Sequence, residues 1–357
     1  ALRAVGIAAD EMELVQAVWK EIRAEVLAEL EREGASRSFM LLAEPLMVVR
    51  FVRARERDVA KAVDMWRETL RWRDEHVPRA LSECGTFVDD DDDTEDAHGD
   101  DDTSNGEGRS TAWSWRAHRE PSEAPTVRSE LGARHGHARR IEGATASDGL
   151  SPICVWRLGR FDLAGTVRED VGDAVVMYQI AMLEDTLQTC RAASRAARAL
   201  VRCRLIIDLE GLAIAQTMRH LHVVKKLTSI GKAYFPELSA SATIVNAPFG
   251  FQTLWRVVSM VLNDHMRAKV HIVGTTFEDA LVSHAKIDDL TPLPARYGGK
   301  QTDAVIAPTL PVPQGAGDRL RADTDPVFLF PPKGASSSSE SGWSSSSSAV
   351  AASRPKM

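Results

Sequence analysis

Arg204-Leu-Ile-Ile-Asp-Leu209 is a short, nearly unbroken apolar run, and two more of its kind follow: Ala242-Thr-Ile-Val-Asn-Ala247 and Val270-His-Ile-Val-Gly274. Runs this short, rich in β-branched residues, suit strands buried on both faces. The stretches between them have helical spacing. In 216–234, Met218, Leu221, Val224 and Leu227 fall on one side, and 249–262 is strongly apolar. Strand, helix, strand, helix is the order of an α/β lobe with a parallel or mostly parallel sheet and helical crossovers. Working outward, 153–158 reads as another short strand, 168–202 as helix in two pieces, and 276–285 as a further helix.

The first 80 residues have a different rhythm. Val15, Val18, Trp19, Ile22, Val26 and Leu30 recur at three- and four-residue steps, so 10–33 is an amphipathic helix stopped by Gly34. A second helical stretch follows Pro45. A third starts after Asp58, its expected N-cap, carries the stripe Val59, Ala62, Val63, Trp66 and Leu70, and ends before Pro78. These make a small all-α unit. No periodic apolar face is visible over 85–150, where high charge and few large apolar residues cannot offset chain entropy. Beyond Gly298-Gly299-Lys300 the chain turns Pro-rich and then almost pure Ser over 336–348, as a flexible tail would.

The chain has 357 residues, with 44 Lys and Arg against 51 Asp and Glu. Collagen, a disulfide scaffold and a wholly disordered chain are excluded. The net charge of −7 hides an asymmetry, because residues 88–107 hold eleven acids and no Lys or Arg. Without them 44 bases face 40 acids, a mildly basic body compatible with an anionic membrane surface. A calcium loop in the acidic run lacks its spaced ligands and turn glycine. Cys84, Cys154, Cys190 and Cys203 form no C-x-x-C pair, which favours unpaired thiols in a reducing compartment. The chain opens on Ala1 without a Met, so its true start lies open. No signal peptide is visible. The longest uncharged stretch, 238–255, is broken by Asn246, Pro248 and Gly250 and does not read as a spanning helix.

Most catalytic signatures are absent: no G-x-x-x-x-G-K-[ST], no G-x-G-x-x-G after a strand, no G-x-S-x-G and no H-E-x-x-H. His220 and His222, two apart on a helix, point to different faces and chelate one metal poorly. Asp208 and Glu210 close a strand, where acid–base pairs can sit, but no nucleophile or phosphate loop accompanies them. The plainer reading is a strand-end carboxylate bonded to local amides. The segment 249–262 carries Phe249, Phe251, Leu254, Trp255, Val258 and Leu262 around most of its circumference. A helix apolar nearly all round is either central to the core or touches lipid or a ligand.

Five blocks, in order, carry a resemblance. Val49-Arg-Phe-Val-Arg-Ala-Arg55 with Asp58-Val59, ending in Trp72-Arg73, resembles the N-terminal helical module of the CRAL-TRIO family. Arg204-Leu-Ile-Ile-Asp-Leu-Glu-Gly211 is similar to its D-L-x-G strand, and Tyr234-Phe-Pro-Glu237 to its Y-Y-P-E. Val245-Asn-Ala-Pro-Phe-Gly-Phe251 resembles its I-N-A-P-F-G-F, and Leu293-Pro-Ala-Arg-Tyr-Gly-Gly-Lys300 its L-P-x-x-F-G-G-K. The branch it most resembles is the phosphatidylinositol/phosphatidylcholine transfer proteins.

The resemblance implies a division into a helical module (1–80), a disordered acidic and polar insert (81–150), a lipid-binding lobe with an apolar cavity over its sheet (151–303) and a disordered tail (304–357). It implies a lipid carrier and not an enzyme, binding one phospholipid, with phosphatidylinositol as the expected ligand and no metal or other cofactor. The helix over 249–262 becomes a gate that opens at a membrane. Arg55, Glu237 and Lys269 fall on the family's headgroup positions, while Glu56 and Met266 depart from them. Cys154, Cys203 and Leu205 replace the phosphatidylcholine-binding hydroxyl residues, which argues against that headgroup. The implied protein is a cytoplasmic monomer, peripherally associated with membranes, with no nucleic-acid partner. The alternative is a lipid-regulated adaptor that senses a hydrophobic ligand without net transfer.

Overall fold

The computed structural model describes residues 7–30, 37–84, 137–260, 262 and 264–303. The acidic run, the Ser-rich tail and most of the expected insert lie outside the described residues.

Four helices form the N-terminal lobe: α1 (Ala9–Leu30), α2 (Arg37–Leu42), α3 (Pro45–Ala54) and α4 (Val59–Cys84). Val15, Val18, Ile22 and Val26 of α1 are buried, so the apolar spacing marks the packed face. Asp58 caps α4, its Oδ1 accepting from the Lys61 amide at 3.0 Å. The helix does not stop before Pro78, as the sequence suggests, but runs through it to Cys84. Pro78 itself is exposed, while Val77, Ala80 and Leu81 continue the buried stripe. That burial, at roughly 1.5–3 kcal/mol per large apolar side chain, matches the ~3 kcal/mol cost of an interior proline.

The second lobe is a five-stranded sheet in the order β1-β2-β3-β4-β5. Its strands are β1 (Ala138–Thr145), β2 (Pro152–Trp156), β3 (Cys203–Asp208), β4 (Ser239–Val245) and β5 (Val270–Ile272). β2 to β5 run parallel, and β1 joins β2 antiparallel at one edge. The α/β reading with a mostly parallel sheet therefore holds. Strand β1 corrects the reading of 81–150 as wholly disordered. Its buried positions are Ala138, Ile141 and Ala144, a weak apolar signal, and Arg140 is held by Asp185 at 2.7 Å rather than solvated. A register shift between Arg140 and Thr145, where Gly143 takes a φ of 70°, breaks the alternation further.

The crossovers are α5 (Leu163–Arg168) and α6 (Gly172–Ala197) between β2 and β3, then α7 (Ile214–Arg219) and α8 (Leu221–Tyr234) between β3 and β4. Helices α9 (Phe251–Ser259) and α10 (Asp264–Ala268) lie between β4 and β5. Successive right-handed crossovers in a sheet of sequential order put their helices on one face. The other face is sealed by α11 (Glu278–Ser283) and the segment after it. There Ile153, Val155, Ile206 and Val245 meet Phe277, Leu281, Ile287, Leu293 and Tyr297 in one buried cluster.

The lobes join through α4. Arg73 donates to both oxygens of Glu184 on α6 at 2.8 and 2.7 Å, a pair only 1% and 2% exposed. Trp72 stacks between His76 and Tyr234, with ring centroids 4.8 and 4.1 Å away. Arg50 of α3 is fully buried and donates to the backbone carbonyls of Glu237 (2.6 Å) and Val201 (2.7 Å), just before β4 and β3.

Candidate functional site

Strand register decides what each sheet face carries. Cys154 is level with Leu205, Trp156 with Ile207, Leu205 with Ala242, Ile207 with Ile244, and Ala242 and Ile244 with Val270 and Ile272. Side chains level across neighbouring parallel strands share a face. The crossover-helix face is therefore apolar along its whole width. Helix α6 covers its Cys154 side, where Cys154 Sγ lies 3.4 Å from Thr186 Oγ1. Away from α6, Trp156, Leu205, Ile207, Val270 and Ile272 are only half-buried, in contrast to the sealed cluster opposite. An apolar face left incompletely covered has the chemistry to floor a ligand chamber.

Helix α9 is shorter than the expected 249–262. Asn246 and Gly250 take left-handed φ of 55° and 85°, so the Asn-Ala-Pro-Phe-Gly stretch is a turn and the helix starts only at Phe251. Phe249 and Leu262 flank the helix instead of belonging to it. Phe251 and Leu254 are buried, Trp255 and Val258 half-buried, and α9 lies against α7. Phe249 is fully exposed at 105% and Met260 is 70% exposed, while Leu262 is half-buried.

A charge cluster sits at the amino ends of β3, β4 and β5. Glu237 is at its centre, its carboxylate almost wholly buried. Oε1 accepts from Lys269 Nζ at 2.6 Å and lies 2.9 Å from His265 Nε2; Oε2 accepts from Arg202 at 2.8 Å. Burial alone raises a carboxyl pKa, but Lys269, Arg202 and His265 outweigh it and hold Glu237 below the usual range. Burial is also the main reason Lys269 lies below the ordinary lysine value, with Glu237 opposing it. Lys269 and Arg202 thus share one carboxylate, with His265 alongside. Glu237 adopts a φ of 52°, uncommon for a residue with a side chain, and the Arg50 bond to its carbonyl holds it there.

Of the three residues expected at a headgroup, the structure brings Glu237 and Lys269 together. Arg55 is not bonded to either: it is half-buried just after α3, and its guanidinium makes no hydrogen bond or ion pair among the described residues. Arg50 and Arg53, the latter paired with Glu11 at 2.6 Å, are the α3 arginines that feel Glu237 electrostatically. The sequence reading missed Arg202 and His265. Arg202 could have been noticed as a cation directly preceding a buried strand; nothing in the sequence singles out His265.

Asp208 is committed elsewhere. It is 1% exposed, and accepts from the Glu210 amide (2.9 Å), Asn246 Nδ2 (2.9 Å) and Tyr297 Oη (2.7 Å). Burial, then the Asp208 carboxylate, push the Tyr297 phenol far up, so it stays a donor. The local-bonding reading of Asp208 holds, and the bond reaches further than expected, tying β3 to the Tyr-Gly-Gly-Lys loop. Glu210 is exposed and paired with Arg296. Cys154, Cys190 and Cys203 are buried free thiols; burial pushes Cys190 up to about 12. No cluster of metal-ligating residues occurs among the described residues, and none of their helices is long and apolar enough to cross a membrane.

Residues 148–299, spanning β2 to the Tyr-Gly-Gly-Lys loop, match the model of the CRAL/TRIO domain. Over this stretch the chain resembles the CRAL/TRIO family. It is 25% identical over 276 residues to the SEC14 cytosolic factor of Candida glabrata, covering 77% of this chain and 76% of that one. It is 25% identical over 289 residues to the phosphatidylinositol/phosphatidylcholine transfer protein SFH12 of Arabidopsis thaliana, covering 77% of this chain and 45% of that one. The matches span about half the length of several curated relatives. The crystal structure of Sfh5 superposes with a TM-score of 0.54 at 15% identity, covering 88% of this chain and 96% of that chain, a likeness of fold. The CRAL/TRIO match starts after β1 and leaves out the helical lobe, which the longer alignments reach.

Proposed function

We propose that the protein binds one phospholipid, phosphatidylinositol, with its acyl chains over the half-buried sheet face and its headgroup at the Glu237 cluster, and moves it between membranes. The observation that carries the reading is the pairing of an apolar floor, formed by Trp156, Leu205, Ile207, Val270 and Ile272, with a charge cluster at the strand ends. Lys269 and Arg202 suit a phosphate through charge-assisted hydrogen bonds, and Glu237 can accept from ring hydroxyls. The relative from Arabidopsis, named for both phosphatidylinositol and phosphatidylcholine, supports the ligand class.

A chamber answers the energetic problem. Lifting a two-chain lipid from a bilayer exposes roughly 30 methylenes at about 0.8 kcal/mol each, on the order of 25 kcal/mol. A surface groove recovers only part of that; an enclosed apolar space recovers most of it. Helix α9 is the proposed gate, flanked by exposed Phe249 and Met260, which would enter the lipid interface when the protein docks. No catalytic group is needed, so the reading is of a carrier and not an enzyme. It acts from the cytoplasm, as the name of the yeast relative suggests, as a monomer that visits membranes.

The test is to extract the purified chain with organic solvent and identify the released molecules by mass spectrometry. One phosphatidylinositol per chain supports the reading. A sterol or other apolar molecule keeps the chamber and removes the headgroup assignment. Bound lipid with no net transfer between vesicles turns the reading toward a lipid-sensing adaptor.

A further inference from the structure

The strand ends carry a second polar cluster, on the sealed face of the sheet. Arg204 of β3 is level with Ile153 and Ser241, and Thr243 of β4 is level with Ile206 and His271. All four therefore share the face of Ile153 and Ile206, opposite the chamber. Here α11 ends: the His284 ring lies 4.7 Å from that of His271, and its Nε2 is 3.3 Å from the Lys269 carbonyl. Lys286 follows, exposed, its carbonyl held by the amide and hydroxyl of Ser147 at 2.7 and 2.6 Å.

These groups lack what their chemistry asks for. The Arg204 side chain has no hydrogen bond or ion pair among the described residues, and its Nε is buried. The Ser241 and Thr243 hydroxyls, on residues 4% and 0% exposed, have no partner either. Unpaired buried polar groups are costly and call for an explanation. The cluster is also crowded with like charge. Burial first, and then His271, Arg204 and Lys286, hold His284 below its ordinary value, against the pull of the Lys269 carbonyl. The opposing charge is Asp148 in the β1–β2 turn, which feels Arg204. Its oxygens are already taken by the Leu150 and Ser151 amides and the Ser151 hydroxyl, at 2.9, 2.7 and 2.5 Å.

We propose that Arg204, Ser241, Thr243, His271, His284 and Lys286 bind a single phosphate-type oxyanion, carried by a soluble phosphate ester or by a phosphorylated headgroup at a membrane surface. A guanidinium, an ammonium and two imidazoles at the rim, with hydroxyl donors beneath, are the donor set such an ion takes. The site is separate from the chamber, so lipid transfer and anion binding can fail independently.

The experiment titrates inorganic phosphate into the full chain and follows the His271 and His284 ring protons by NMR, with potassium chloride at matched ionic strength as control. Saturable shifts of both rings are expected, with the His284 pKa rising in phosphate and the affinity falling at least fivefold from pH 6 to pH 8. Arg204→Gln should weaken binding tenfold or more while vesicle-to-vesicle lipid transfer stays unchanged. His271→Gln, at an exposed position, gives the same reading if the first variant fails to fold. Shifts that do not saturate, equal shifts in chloride, or unchanged phosphate affinity in the folded variants would overturn the proposal. Sedimentation with phosphatidylcholine vesicles, with and without phosphatidylinositol 4-phosphate, then separates the sources. Headgroup-dependent binding lost in His271→Gln assigns the membrane; phosphate binding without it assigns a soluble ester.

Discussion

Lys269→Ala separates the two jobs of the charge cluster. In the folded protein Lys269 is one of three donors around Glu237, 2.6 Å away, and Arg202 and His265 remain at 2.8 and 2.9 Å when it is gone. The carboxylate is therefore not stranded. The stability loss should be about 1 kcal/mol, the value of one hydrogen bond, and not the ~3–5 kcal/mol of an abandoned buried charge. The ligand loses more. A hydrogen bond from an ammonium to a phosphate is worth about 1.5–3 kcal/mol, so phosphatidylinositol affinity should fall roughly tenfold to a hundredfold. The assay is transfer of fluorescent phosphatidylinositol between donor and acceptor vesicles, with urea unfolding of the same preparation alongside. Lys269→Arg should recover part of the transfer. Wild-type phosphatidylinositol transfer by a folded Lys269→Ala protein would refute the headgroup assignment, and an equal loss for phosphatidylcholine, which carries the same phosphodiester, would show that Lys269 reads the phosphate and not the inositol ring.

Tyr297→Phe should lower unfolding free energy by about 1.5–3 kcal/mol in a urea titration, because Tyr297 donates at 2.7 Å to the buried Asp208 carboxylate; unchanged stability would mean the bond is dispensable. Glu237, its pKa depressed on folding, contributes stability that is present above the ordinary carboxylate value near 4.3 and is lost as pH falls through the lower folded value. The stability gap between wild type and Glu237→Gln should accordingly be widest near pH 7 and close toward pH 3; a gap that widens in acid contradicts the assignment. Phe249→Ser should leave the melting temperature in place, since Phe249 is fully exposed, yet slow vesicle transfer about tenfold through the ~1.5–3 kcal/mol a buried phenyl supplies; normal transfer would remove Phe249 from the docking surface.

The sheet was legible where short runs are dominated by β-branched and other apolar residues, even with Arg204, Thr243 and His271 among them; the expected burial on both faces fails for β5, an edge strand with no fully buried residue. Cys203–Asp208, Ser239–Val245 and Val270–Ile272 fall on the three runs that read as strands. β1 was not legible, because an edge strand needs only one buried side and small residues fill it: Ala138 and Ala144 supply no hydrophobic signal worth the name. Helix ends failed for local reasons. Pro78 normally stops a helix, yet the buried Val77 and Ala80 carry α4 past it; the left-handed Gly250 starts α9 later than its apolar composition suggests. At the site, Glu237 and Lys269 were reached through the family resemblance. Arg202 and His265 were not, because a charge network is assembled from segments far apart in sequence, and no single segment records the others.

Arg50 makes stiffness uneven across the molecule. A guanidinium buried to 0% exposure grips carbonyls two residues before β3 and β4, so hauling α3 away from the sheet would leave a cation in a dry place with nothing to hold. The turn before α9 is pinned only at its start, where Asn246 donates to the Asp208 carboxylate at 2.9 Å and to the Gly274 carbonyl at 3.0 Å, while Phe249 stands in open water. The protein is built like a purse with a riveted base. On the proposed function, a lipid entering past α9 would travel with its headgroup toward the fixed seam and its tails trailing toward the mouth.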